Sequence, residues 1–154
     1  VSFSPESRRK PIETRDAAVF ETGTTVTIRG FELRYACATL VWCAIILWVS
    51  ITPNPPGREF FLLPMADKIV HFCGYALLCW LASMSLRKAG RPYRIETLII
   101  VPLVFSILFG ILNELIQMTV EARSDELADV VADALGAVVV QAGFLCRRRR
   151  ISEV

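Results

Sequence analysis

From residue 35 onward the chain alternates long apolar runs with short polar breaks. Four runs stand out, at residues 35–52, 69–86, 97–118 and 127–146. A helix needs about 20 mostly apolar residues to cross the hydrocarbon core of a bilayer, so each run predicts one spanning helix. The predicted fold is all-α, a four-helix transmembrane bundle over residues 35–146. A cytoplasmic N-terminal tail (1–34) precedes it and a short basic cytoplasmic tail (147–154) follows. The N-terminal tail mixes charge with Ser, Thr and Pro and reads as largely disordered, with a weak strand signal at 24–28. It has no apolar stretch of signal-peptide type, so the first span is expected to be a retained anchor.

Composition supports the bundle. The 154 residues are 54% hydrophobic and 21% charged, with a mean hydropathy of +0.49, which an ordinary soluble domain of this size rarely reaches. The five cysteines (Cys37, Cys43, Cys73, Cys79 and Cys146) all lie within or at the ends of spans. Their number is odd and none shows a zinc spacing, so they read as small buried hydrophobes.

Charge gives the orientation. Of the 17 Lys and Arg residues, only Arg58, Lys68 and Arg123 fall on the side opposite the two termini if the spans alternate. The rest sit in the tail, in "RKAGRPYR" between the second and third spans, and in the closing "RRRR". By the positive-inside rule, those segments face the cytoplasm, so the chain is expected in a plasma (inner) membrane with both termini inside. The arginine run directly after a span suits anionic lipid as its partner and not nucleic acid.

Polar residues inside the apolar runs carry the candidate chemistry. Asp67, His71 and Tyr75 stand at i, i+4, i+8, with Lys68 beside the first. Gly110, Glu114 and Gln117 stand at i, i+4, i+7, with Asn113 adjacent, and Asp129, Asp133 and Gly136 repeat that spacing. Each set occupies one face of its helix. At 1.5 Å per residue, His71, Glu114 and Asp133 all fall within roughly 10 Å of one membrane boundary. Ionisable groups at that depth are costly against lipid and normally face inward. The three stripes therefore predict an outward-open polar pocket shared by the second, third and fourth helices. Structural roles are also open to these residues. Asp67 can cap its helix, Lys68 can snorkel to headgroups, and Ser124 with Asp125 and Glu126 reads as a cap and acidic first turn.

In this order and at these intervals, "DKIVHFCGY", "ELIQ", a following Arg and "DVVADALG" resemble the VanZ-like family of small membrane proteins. The resemblance runs from Asp67 to Gly136. It rests on Asp67, Lys68, His71, Tyr75, Glu114, Gln117, Arg123, Asp129, Asp133 and Gly136. It implies the bacterial cell envelope and an association with resistance to the glycopeptide antibiotic teicoplanin, but no settled reaction. The family usually has Asn where this chain has Asp133. An ionised Asp only accepts hydrogen bonds, whereas a protonated one regains a donor.

Two functions stay open at this point. In the first, His71, Glu114, Asp129 and Asp133 supply acid–base chemistry on an envelope lipid or lipid-linked glycan. Asp67 would then orient the imidazole, and Lys68, Tyr75, Asn113, Gln117 and Arg123 would bind substrate. Two carboxyls at one depth suit an acid and a base. A divalent metal on His71, Glu114 and Asp129 is chemically reasonable, but the spacing matches no metal signature, so neither metal nor cofactor is assigned. In the second, the same pocket holds a lipid without turnover, or the bundle is an accessory subunit docked on a larger membrane-protein partner. Transport is disfavoured, because the helices show neither repeat symmetry nor broken segments.

Overall fold

The computed structural model describes residues 27–28, 31–52, 65–118 and 127–152. Arg123, the 124–126 cap and most of the N-terminal tail lie outside the described residues. A minimal antiparallel ladder pairs β1 (Thr27–Ile28) with β2 (Phe31–Glu32), and β1 overlaps the end of the predicted strand. Four helices follow: α1 (Leu33–Ile51), α2 (Ala66–Arg87), α3 (Ile95–Gln117) and α4 (Leu127–Ser152). All four are long and apolar enough to cross a membrane, the fourth over Leu127–Arg150. The chain is thus a multi-pass helical membrane protein with a four-helix bundle.

Three of the helices begin two or three residues before their apolar runs, and α4 continues through Arg147–Arg150. Hydropathy marks the stretch in contact with lipid, whereas caps decide where a helix stops. At the start of α1, Glu32 accepts a hydrogen bond from the Tyr35 backbone N–H at 3.0 Å and from Arg34 Nε at 2.8 Å. The Arg34 guanidinium holds the Glu32 carboxyl below its usual range. Asp67 does not cap α2. The N-cap is Met65, in a left-handed conformation with φ 70° and no side-chain hydrogen bond, and Asp67 lies inside the first turn. There its charge still complements the helix N-terminus. Within α3, Pro102 has no N–H to donate, and the Ser106 hydroxyl donates to the Pro102 carbonyl at 2.9 Å.

The most extensive contact is between α2 and α4, which run parallel. Gly136 makes this possible. A Cβ there would strike the Phe72 carbonyl oxygen and come within 3.0 Å of the Ala76 nitrogen. Only the absence of a side chain lets the two backbones meet. Around this pair, α1 and α3 complete the bundle, with Cys43, Tyr75 and Leu78 at the core against Trp42, Ile46 and Phe109. Tyr35 and Trp80 meet edge to face, 6.0 Å apart, as antiparallel α1 and α2 bring start to end. Large apolar side chains such as Leu40, Trp48, Ile100, Leu108 and Val139 point outward. In water such a surface would aggregate; in a bilayer it meets its own kind.

Candidate functional site

The three polar stripes converge where α2 and α4 begin and α3 ends. His71 Nδ1 lies 3.0 Å from Asp133 Oδ1 and 3.8 Å from Glu114 Oε1. The Asp133 side chain is only 1% exposed, against 8% for Glu114 and 13% for His71. One turn along α2, the Tyr75 ring lies within 7° of parallel to the imidazole, with centroids 6.5 Å apart. Gly110 on α3 admits this arrangement, because a Cβ there would sit 2.9 Å from Asp133 Oδ2 and 3.3 Å from Tyr75 Cε1. The glycines of the second and third polar stripes thus have one job each. Gly136 brings α4 onto α2, and Gly110 lets the Asp133 carboxyl lie against α3.

A second tier lies one turn nearer the end of the bundle. Lys68 Nζ bridges Asp129 Oδ1 at 3.2 Å and Asp67 Oδ2 at 3.0 Å. The structure therefore divides the predicted acid–base set. Asp129 is engaged by Lys68, and Asp133 is the acid that holds His71. Asp67 does not orient the imidazole; Asp133 does, from another helix. Spacing along α2 puts Asp67 and His71 on one face, but the contact across to α4 is shorter and aims at the ring nitrogen.

On α3, Gln117 Nε2 donates to Ser50 Oγ of α1 at 3.2 Å. Asn113 is 1% exposed, yet neither its Oδ1 nor its Nδ2 has a hydrogen-bond partner among the described residues. The same holds for the Tyr75 hydroxyl and Asp133 Oδ2. Two residues of this region escaped the sequence reading. Ser50 is one, and Trp42 is the other, whose Nε1 donates to the Gly74 carbonyl at 2.9 Å. The available signal was that a Trp within a span carries one N–H that needs an acceptor when buried.

Beside His71 lies a cavity of about 360 Å³. It is bounded by α1, α2 and α3, and not by α2, α3 and α4 as the stripes suggested. Trp42, Ile45, Ile46 and Val49 form one wall and Val70, Cys73 and Leu77 the other. Ser50, His71, Asn113 and Gln117 supply its polar atoms. Of the carboxyls that were expected to line a wet pocket, Glu114 and Asp133 instead gather behind the imidazole and Asp129 is taken by Lys68. The cost of exposing ionisable groups to an apolar slot favours that inward packing. His71 is the one member of the cluster that faces both ways.

The donor set could also hold a cation. His71, Glu114 and Asp133 each offer one ligand atom, all within 4.8 Å of one another. One imidazole with two carboxylates suits a divalent ion of the zinc or manganese type. This trio differs from the sequence expectation by having Asp133 in place of Asp129. No metal spacing appears in the sequence because the ligands come from three separate helices. No family model, curated protein or solved structure matches the chain.

Proposed function

We propose that this chain is a VanZ-like protein of the bacterial inner membrane whose His71–Asp133 pair performs acid–base chemistry on an envelope lipid or lipid-linked glycan. The observation that carries the reading is the 3.0 Å contact between His71 Nδ1 and Asp133 Oδ1, made by a ring that also lines the cavity. With Asp133 ionised, Nδ1 carries the proton and donates to the carboxylate. The lone pair is then on Nε2. Among the described residues, Nε2 has no hydrogen-bond partner. A hydroxyl or water reaching Nε2 from the cavity gives up its proton there, and the imidazolium that forms is paired with Asp133. Glu114 Oε1, 3.8 Å from Nδ1 on the side of the ring away from Nε2, adds a second carboxyl behind the imidazolium, which returns its proton from Nε2. The distribution of Lys and Arg puts this end of the bundle on the outer side, where envelope lipids present their headgroups.

The test is turnover. The full chain is reconstituted in nanodiscs with an envelope-lipid extract, and the lipids are compared by mass spectrometry before and after incubation. The wild type should convert one lipid class, and His71→Gln should not. Asp133→Asn keeps an oxygen that accepts from Nδ1–H, so it should retain slower conversion. Unchanged conversion by His71→Gln would sink the proposal. Lipid retention with no conversion by the wild type would favour the accessory, non-catalytic role.

A further inference from the structure

The cavity beside His71 has a shape, an unsatisfied polar side chain and a charge environment, and together they specify an occupant. Its α1 wall runs from Trp42 to Ser50, about 12 Å at 1.5 Å per residue. One leaflet of hydrocarbon is about 15 Å deep, so the slot follows most of a leaflet. Its volume of about 360 Å³ is at the small end for a ligand site and suits one hydrocarbon chain. Ile45, Val70 and Leu77, along its walls, are 40%, 46% and 39% exposed on the flank of the bundle. The slot is therefore entered sideways from lipid.

At its polar end stands Asn113, with an acceptor and a donor both unsatisfied among the described residues. Buried amides are normally paired on both sides. The complementary ligand group offers one donor and one acceptor side by side, as an amide does. The surrounding charge removes one alternative. Among the described residues this end carries the carboxyl groups of Asp67, Glu114, Asp129 and Asp133 against a single lysine, Lys68, which already bridges two of them. Even with the His71 imidazole protonated on the cavity wall, the four carboxyls outnumber the cations, so a phosphate head would enter a net field of its own sign.

We propose that this cavity binds a single-chain amphiphile with an uncharged, amide-type head, the chain lying between α1 and α2 and the head on Asn113 beside His71. The inference rests on reading this end of the bundle as a lipid site and narrows that reading. Asn113 selects the head, and the carboxyl cluster rejects lipid phosphates.

Trp42 lines the slot and serves as the reporter. The other two tryptophans, Trp48 and Trp80, are replaced by Phe in the full chain, held in neutral detergent. Dodecanamide and monododecyl phosphate, each brominated near the chain end, are titrated against Trp42 fluorescence. The amide should quench saturably, at a concentration about tenfold or more below that needed for the phosphate. Asn113→Leu should raise the amide's half-saturating concentration by about tenfold and leave the phosphate unchanged. Should that variant fail to fold, Cys73→Phe narrows the slot without touching the head site and should abolish saturable quenching by the amide. Equal, non-saturating quenching by both probes would overturn the proposal, because the slot would then hold bulk lipid. Tighter binding of the phosphate would overturn it as well. The readout needs no turnover, so its failure leaves the acid–base reading standing. Loss of conversion with quenching intact would do the reverse.

Discussion

The parallel pair α2 and α4 carries two buried polar clusters about 12 Å apart along the helix axis, taking 1.5 Å per residue from His71 to Cys79. In the first, Gln141 Nε2 donates to Ser83 Oγ at 2.8 Å and to Cys79 Sγ at 3.2 Å. In the second, His71 meets Asp133 and Glu114, while Asn113, Tyr75 and Asp133 keep polar atoms unsatisfied among the described residues. The first cluster is built of neutral groups and leaves one acceptor, Gln141 Oε1, without a partner among the described residues. It contains no carboxylate and no imidazole, and the cavity of about 330 Å³ nearest to it is lined by Ala82 and Ser85, not by Gln141, Ser83 or Cys79. Hydrogen bonds of that kind hold helices together in lipid at modest gain. The second gathers groups that change charge and sets one of them at the edge of a cavity. Burial alone does not distinguish a site from helix glue. Groups that can exchange a proton next to a space do.

The comparison can be broken in several ways. The largest effect is expected at the frame that both clusters share. Gly136→Val should separate α2 from α4 and cost more than about 3 kcal/mol, read as loss of folded protein in SDS titration followed by circular dichroism. A stable Gly136→Val protein would mean that the contact with the Phe72 backbone does not organise the bundle. Next comes the site itself. His71→Gln should lower lipid conversion by about 100-fold or more, the usual reach of a general base, with the unfolding midpoint little changed. Gln141→Leu tests the other cluster. It should cost roughly 0.6–1 kcal/mol in the same unfolding assay and leave conversion unchanged. If Gln141→Leu stopped conversion and His71→Gln did not, the roles of the two clusters would have to be exchanged.

The smallest effect lies outside both clusters. The Glu32 carboxyl is held below its usual range by Arg34. Its stabilising contribution is therefore complete above the ordinary glutamate value of about 4.3, and is lost as pH falls through the lowered folded value. Arg34 is 77% exposed, so solvent screens the pair and the change should be slight. Melting curves at pH 7 and pH 3 should converge between wild type and Glu32→Gln.

Much of this was legible in the chain. Four apolar runs gave four helices, and three polar stripes gave the common depth of His71, Glu114 and Asp133. What spacing could not give is the rotation of each helix against its neighbours. Asp129 and Asp133 share a face, and only the packing of α4 on α2 decides that Lys68 takes one and His71 the other. The cap at Met65 was hidden because its left-handed backbone has no side-chain signature. The cavity was hidden for a different reason. Apart from Thr39 and Ser50, α1 offers no strongly polar residue beyond its first turn, so it looked like a plain anchor. It is in fact one wall of the chamber next to the imidazole. Gln141 passed unnoticed because one amide in an apolar run forms no stripe.

The Trp42 bond to the Gly74 carbonyl has a mechanical consequence. Together with the Gln117–Ser50 bond, it hangs α1 on two pegs, one at each end of the slot. The heavy packing lies elsewhere, between α2 and α4. For the proposed guest, a wall hung this way is the part that would flex, while the buried charges behind His71 stay in register. On the binding proposed above, the guest would then exchange without the bundle opening its own interior.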